Sequence, residues 1–352
     1  CVATSRKYRV IIVDDSAFDR RLIRMSLQAE SDIEILAEAG DAYEARDLIL
    51  KHKPDLITLD ISMPRIDGLT FLKLLMKSYP IPVIILSALS PANSRYALNA
   101  LELGAADVLS KVRGNQTLRD VGASLGSRIR DILEGRKRAG TLDNGSGLKP
   151  KPPLPALNWK PEQVCLIGAS TGGTVALKQV LSALPAEMPG ICVVQHMPAF
   201  MTELFADRLH ADCALTVREA KDGDWVEPGC VLLAPGDYHM SLVRESGRYR
   251  VRLDQSPKVW FQRPAVDVLF RSAVSVAGKN ALGVLLTGMG RDGAEGLLEL
   301  KEAGAHTITQ DEASCAVYGM PKVAFELGAS REVKSLGQMP EAIFRGLAQG
   351  VR

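Results

Sequence analysis

The chain lacks any apolar run approaching the ~20 residues that a membrane-spanning helix requires, so membrane insertion is not expected. Its opening residues, CVATSRKYRV, lack the apolar middle region of a secretory signal. They also lack an initiator Met, which reads as a processed start. No charge of one sign dominates: 43 Lys and Arg against 41 Asp and Glu leave a formal +2. That near-balance argues against nucleic acid or an anionic membrane surface as the main partner. Cysteine is sparse and scattered, at Cys1, Cys165, Cys192, Cys213, Cys230 and Cys315, with no CxxC pair to hold a metal. Three of these lie in or beside apolar strand-like runs, as expected of reduced core thiols in a cytoplasmic protein.

The length of 352 residues exceeds one ordinary core, and two domains are expected. In the first, short apolar runs such as RVIIV, DLITLD, PVIILS and ADVLSK alternate with helical spacing, as in the stretch from about Ala17 to Ala29. Alternating strands and helices predict βαβ units and a parallel sheet covered on both faces. The domain is read as residues 1–133. Pro, Gly and basic residues then take over from Arg136 to Lys160, and residues 134–160 are read as a linker. A second α/β pattern fills 161–352, with runs VCLIG, ICVVQ, CVLLAPG and ALGVLLTG. YHMSLV and YRVRLD, split by RESGR, predict a β-hairpin at the edge of that domain's sheet. The fold class is therefore α/β, with two doubly wound parallel-sheet domains. No internal repeat links the halves.

Strand ends in the first domain present Asp14 and Asp15, Asp60, Ser87 and Lys111. In an open parallel sheet the carboxyl ends of the strands line one crevice. Three carboxylates converging there repel one another unless a divalent cation and an ammonium offset the charge. Hard carboxylate oxygens suit Mg²⁺, and an Asp beside Mg²⁺ and Lys can accept a phosphoryl group as a nucleophile. Acids that merely cap helices are the plainer alternative for any one of them.

The pieces VDDS, DLITLDISMPRIDGL, VIILSA and LGAADVLSK, across residues ~7–133, resemble the receiver domain of two-component response regulators, a flavodoxin-like fold. The resemblance implies Asp60 as phosphoacceptor. It implies Asp14 and Asp15 as Mg²⁺ ligands together with Asp60, with help from the Ser62 carbonyl. Ser87 and Lys111 would contact the phosphoryl group. Two positions depart from the pattern. Val108 stands where receivers usually carry an aromatic, and Val112 where they carry Pro.

In the second domain, CLIGASTGGT is an apolar run that breaks into small and hydroxyl residues. Alone it could cradle a phosphate or present a nucleophile. It is not G-x-G-x-x-G, and no Walker lysine follows. A nucleophilic Ser needs a base and an orienting acid. Ser170, His196 and Asp292 each follow a separate apolar run, so they can meet along one sheet edge. Thr171 is a second possible nucleophile, or a ligand-side donor. His239 is a rival base at the start of the hairpin. His306 reads as structural, and His52 and His210 as helix-end residues. Asp222, Asp224 and Asp237 read as turn acids.

GASTGG, VVQHMP, LAPGDYHM, LLTGMGRDGAEGL and QDEASCAVYGMP resemble the chemotaxis protein-glutamate methylesterases across ~160–350. The resemblance implies Ser170 as nucleophile, His196 as general base and Asp292 as orienting acid, with backbone near Met289 in the oxyanion hole. It implies an esterase domain that needs no cofactor. The implied substrates are γ-glutamyl methyl esters on methyl-accepting chemotaxis receptors, with glutamine deamidation in some members. A chemotaxis histidine kinase would supply the phosphoryl group. One phosphoacceptor domain tethered to one catalytic domain also sets the expectation that the receiver covers the esterase crevice until it is phosphorylated.

Overall fold

Short apolar runs become buried strands in both halves of the chain. The computed structural model describes residues 7–63, 65–87, 91–111, 118–139 and 159–348. It divides into two compact units, with the boundary between Lys137 and Arg138.

The first unit runs β1 (Tyr8–Val13), α1 (Ala17–Leu27), β2 (Ile33–Ala39), α2 (Ala42–His52), β3 (Leu56–Asp60), α3 (Gly68–Ser78), β4 (Val83–Ser87), α4 (Pro91–Glu102), β5 (Asp107–Ser110) and α5 (Leu118–Ala139). Every residue of β3 and β4 is buried. That is why these strands read as unbroken apolar runs and not as alternation. Three helices start on side-chain caps: Ser16, Asp41 and Asp67 accept from backbone N–H groups of α1, α2 and α3. The sheet order is β2-β1-β3-β4-β5, all parallel. Helix α5 continues to Ala139, past the linker start read at residue 134, because the Arg, Lys and Ala residues of 136–139 are good helix formers that carry it past Gly135. The expected linker residues 140–158, and Val112, lie outside the described residues.

The second unit runs β6 (Val164–Ala169), α6 (Gly173–Leu181), β7 (Gly190–Gln195), α7 (Thr202–Asp212), β8 (Thr216–Glu219), β9 (Cys230–Leu233), β10 (His239–Glu245), β11 (Arg248–Asp254), α8 (Val266–Val276), β12 (Ala281–Leu285), α9 (Ala294–Glu302), β13 (His306–Gln310), α10 (Met320–Glu326), β14 (Glu332–Lys334) and α11 (Met339–Ala348). Seven strands form one parallel sheet in the order β14-β13-β12-β6-β7-β9-β8. The hairpin β10-β11 is present, but as its own two-stranded sheet rather than as strands bonded to the large sheet's edge. Its buried Met240, Leu242 and Val251 share a core with Leu269 and Phe270 of α8. Burying side chains of that size stabilises by roughly 1.5–3 kcal/mol each, so packing on α8 outweighs edge pairing.

The chain order reverses between β6 and β12, the point where an open α/β sheet leaves its crevice. Close packing there depends on a missing side chain. A Cβ on Gly168, at the end of β6, would lie 2.3 Å from Val266 Cγ1. The glycine thus lets the start of α8 lie directly against β6. Gly168→Ala should destabilise the esterase unit by roughly 1–3 kcal/mol through overpacking. Chemical denaturation followed by Trp fluorescence checks this, and an unchanged midpoint would disprove the tight seat.

Candidate active site

Ser170 lies one residue beyond β6, and His196 directly after β7. Asp292 sits on the loop between β12 and α9. The three side chains meet. Ser170 Oγ is 3.1 Å from His196 Nδ1, and His196 Nε2 is 2.7 Å from Asp292 Oδ2. The His196 and Asp292 side chains are almost fully buried. An ionised Asp292 can only accept, so the imidazole proton sits on Nε2 and the Nδ1 lone pair faces the serine hydroxyl.

Asp292 is itself held by a helix start. Its Oδ2 accepts from Val266 N–H at 2.7 Å, and its Oδ1 from Asp267 N–H at 2.9 Å. These are among the first N–H groups of α8, which have no partner within the helix. They fix the carboxylate's plane, and through it the ring of His196.

Ser170 is equally constrained. Its N–H donates to Thr287 O at 3.0 Å, and its carbonyl accepts from Gln195 Nε2 at 2.9 Å. Helix α6 begins at Gly173, three residues on, after Gly172 at φ 78°. A Cβ on Gly288 would lie 2.8 Å from Ser170 Cβ, so the Gly288 backbone packs on the serine. The Gly288 carbonyl accepts from Gly319 and Met320 N–H at 3.1 and 2.8 Å. In a trans peptide the Met289 N–H therefore points away from those donors.

The other candidates take different places. Thr171 is buried, and its carbonyl accepts from Thr287 Oγ1 at 2.9 Å. His239 is buried, with Nε2 3.1 Å from Pro257 O and Nδ1 accepting from Ala265 N–H at 3.2 Å, so neither nitrogen is left for proton transfer. His306 pairs with Glu332 at 2.9 Å. His52 ends α2, and His210 in the last turn of α7 accepts from Val217 N–H at 3.3 Å. Asp222 accepts from Leu253 N–H, Asp224 pairs with Arg218, and Asp237 pairs with Arg263. The five described cysteines are all free thiols.

Sequence reasoning passed over Gln195 and Asp267. Gln195 reads as one more residue of a buried run, although a buried amide always needs partners. Asp267 lies in the first turn of α8, accepting from Gly296 N–H and Trp260 Nε1, both at 2.7 Å. Burial, with the neighbouring Asp292 charge, holds its carboxyl above the usual range.

In the first unit the strand ends also converge. Carboxylate oxygens of Asp14, Asp15 and Asp60 lie within 4.8 Å of one another. Lys111 Nζ is 2.7 Å from Asp14, 3.0 Å from Asp60 and 2.9 Å from Asp19. Burial pulls the Lys111 ammonium down, but its bonds to Asp14, Asp19 and Asp60 outweigh that and hold it above an ordinary lysine. Burial raises the Asp14 carboxyl, and the Asp60 charge adds to it, against the pull of Lys111. Ser87 Oγ is buried without a hydrogen-bond partner among the described residues. Hard oxygens clustered beside one ammonium and an unpaired hydroxyl fit a divalent cation with a phosphoryl group. Asp19 was missed because it sits inside a helix, where an acid in the first turn is ordinary. Val108, at the position where receivers usually carry an aromatic, is buried in β5.

Comparison with known proteins finds one family for each unit. The CheB methylesterase family matches residues 165–343, and the response regulator receiver domain matches residues 10–121. A protein-glutamate methylesterase/protein-glutamine glutaminase of Syntrophus aciditrophicus is 48% identical over 343 residues, 96% of this chain and 99% of that one. A protein of the same name from Chromohalobacter salexigens is 45% identical over 344 residues, 97% of each chain. The solved CheB methylesterase catalytic domain of Thermotoga maritima is 39% identical, with a TM-score of 0.51 over 53% of this chain and 98% of that one. A buried Ser-His-Asp arrangement on one parallel sheet and an acid-lined strand crest on another thus have one common explanation: the chain belongs to the CheB methylesterase family, with a response regulator receiver domain ahead of its esterase domain.

Proposed function

We propose that the chain hydrolyses γ-glutamyl methyl esters on methyl-accepting chemotaxis receptors, with Ser170 as nucleophile, His196 as base and Asp292 as the acid that orients it. The observation that carries this reading is the continuous relay from Ser170 Oγ through His196 to Asp292, at 3.1 and 2.7 Å. Ser170 Oγ attacks the ester carbonyl while His196 Nδ1 takes its proton. Nδ1 then returns that proton to the departing methoxide, and methanol leaves an acyl-serine. A water molecule, deprotonated by the same nitrogen, attacks the acyl carbon. The glutamate carboxylate departs and Ser170 recovers its proton. A glutamine amide would reach the same acyl-serine with loss of ammonia, which fits the double name of the relatives.

The oxyanion needs donors fixed before the charge develops. In this reading the start of α6 and the Met289 N–H serve, and the orientation of the Gly288 carbonyl supports the latter. Thr171 lies on the same turn as Ser170 and is a substrate-side residue in this reading. The esterase chemistry calls on no cofactor.

The receiver unit controls this activity. Asp60 accepts a phosphoryl group from a chemotaxis histidine kinase, and Asp14, Asp15 and Asp60 would hold Mg²⁺. Bound there, the cation would offset charge on the phosphoryl oxygens. Lys111 and the unpaired Ser87 hydroxyl are the protein's own contacts to that group. Phosphorylation adds about two negative charges at the sheet's crest. The reaction and its partners belong inside the cell, in the cytoplasm.

Ser170→Ala should abolish methanol release from methylated receptor while leaving the melting temperature unchanged; retained release would exclude Ser170. Asp292→Asn should lower kcat by up to ~10⁴ by upsetting the imidazole tautomer, measured by the same assay. Asp60→Asn should remove the rise in receptor demethylation produced by an acyl phosphate donor with Mg²⁺. A rise of equal size in the variant would place the phosphoacceptor elsewhere. A fragment beginning at Glu162 should outperform the unphosphorylated full chain, and lower activity would argue against restraint by the receiver.

A further inference from the structure

Three bulky aromatics of the esterase unit have left-handed backbone: Phe200 at φ 70°, Trp260 at φ 50° and Phe261 at φ 62°. All three are exposed, Phe261 by 90%, Phe200 by 59% and Trp260 by 39%. Side chains of this kind rarely adopt such backbone, and burial does not offset the strain here. Trp260 and Phe261 form a two-residue turn. Val259 N–H donates to Gln262 O at 3.1 Å, and Gln262 N–H to Val259 O at 2.8 Å. Positive φ at both central positions is the turn type that favours Asn-Gly. Two of the largest residues occupy it instead.

The turn is tied to the catalytic relay. Trp260 Nε1 donates to Asp267 Oδ2 at 2.7 Å, and Asp267 N–H donates to Asp292 Oδ1 at 2.9 Å. The Arg291 guanidinium, next in sequence to Asp292, lies 4.6 Å from the centre of the Trp260 ring. Phe200 stands four residues after His196 on the loop that follows β7. That loop touches the Gly236 turn, where a Cβ on Gly236 would fall 2.3 Å from Ala199 N. The next residue, Asp237, donates its N–H to Arg263 O at 3.1 Å and pairs with the Arg263 guanidinium at 2.7 Å. The loops carrying Phe200 and Trp260–Phe261 are thus joined through one intervening turn, and each is linked to a member of the relay.

We infer that Phe200, Trp260 and Phe261 form an apolar grip at the mouth of the esterase site, which holds the substrate protein through an apolar side chain next to the ester-bearing glutamate. This rests on the esterase reading above. Continuity with the relay selects the occupant, because a chain delivering its side chain to Ser170 must cross the loops that carry His196 and Asp292. Arg291 pairs with Glu295 at 2.7 Å and lies over the Trp260 ring, which steadies that aromatic at the same rim. The grip acts on protein substrates and not on the ester bond itself. It is therefore a source of discrimination between a receptor and a small ester.

The test compares the full chain with Phe261→Gly and Phe261→Asn, both of which suit the turn. The substrates are methylated receptor and p-nitrophenyl acetate, in the presence of an acyl phosphate donor and Mg²⁺. The expected result is a fall of roughly tenfold in the ratio of receptor to small-ester kcat/KM, the size of one apolar anchor at an interface. It should appear mainly in KM, with an unchanged or raised melting temperature. An unchanged ratio in both variants overturns the proposal. A change in oligomeric state by sedimentation with the ratio intact also overturns it, and assigns the aromatics to self-association. Ser170→Ala serves as the control: if it keeps receptor hydrolysis, the esterase reading fails, independently of the grip.

Discussion

The esterase unit depends on how one buried carboxylate is held. Asp292 accepts two N–H groups from the start of α8 and faces His196 with the same oxygen that takes the Val266 proton. Burying a carboxylate is costly unless donors replace the lost water. Here the donors are helix-end N–H groups that would otherwise lack partners. The arrangement needs α8 to begin close against β6, and Gly168 makes that approach possible. Backbone packing, helix capping and the orientation of the imidazole are thus one construction. Asp267 repeats the device one residue along, capping α9 through Gly296 N–H while it anchors Trp260.

The receiver unit uses the opposite balance. Its carboxylates are not each matched by donors, but crowd around a single ammonium. Lys111 holds Asp14, Asp19 and Asp60 together, with Asp15 close by. Four acids facing one lysine leave an uncompensated negative charge at the crest of the sheet. A divalent cation would relieve it, and a phosphoryl group on Asp60 would then share Lys111. The same topological rule built both sites, since polar residues at the carboxyl ends of parallel strands share one crevice. The chemistry differs because one crest ends in acids and a lysine, and the other in a serine, a histidine and a single capped acid.

Much of this was legible in the residues. Asp60, Ser87, Ser170 and His196 each stand at or just past the end of an apolar run, so the pattern marks a strand end, and parallel topology brings strand ends together. The two-unit organisation followed from the loss of periodicity after the first α/β pattern. Other features were not legible. Strands β8 and β14 are short edge strands and only partly buried, so they carry a weak pattern. The hairpin β10-β11 was recognisable from its turn, but its place on α8 and not on the sheet's edge is a matter of packing. The last turns of α5 read as the start of a linker, because Lys and Arg suit a helix as well as a linker.

The sequence by itself determined which residue types stand at the strand ends, and so the class of chemistry each unit can support. Local patterning decides this, because burial and strand period are read directly from apolar runs. Only the tertiary structure decided which candidates meet. His196 and not His239 faces Ser170, since both nitrogens of His239 are taken by backbone groups. Asp19 joins Lys111 across 92 positions of chain, and Trp260 reaches the relay through the first turn of α8. Such contacts depend on the relative placement of distant elements, which no local pattern encodes.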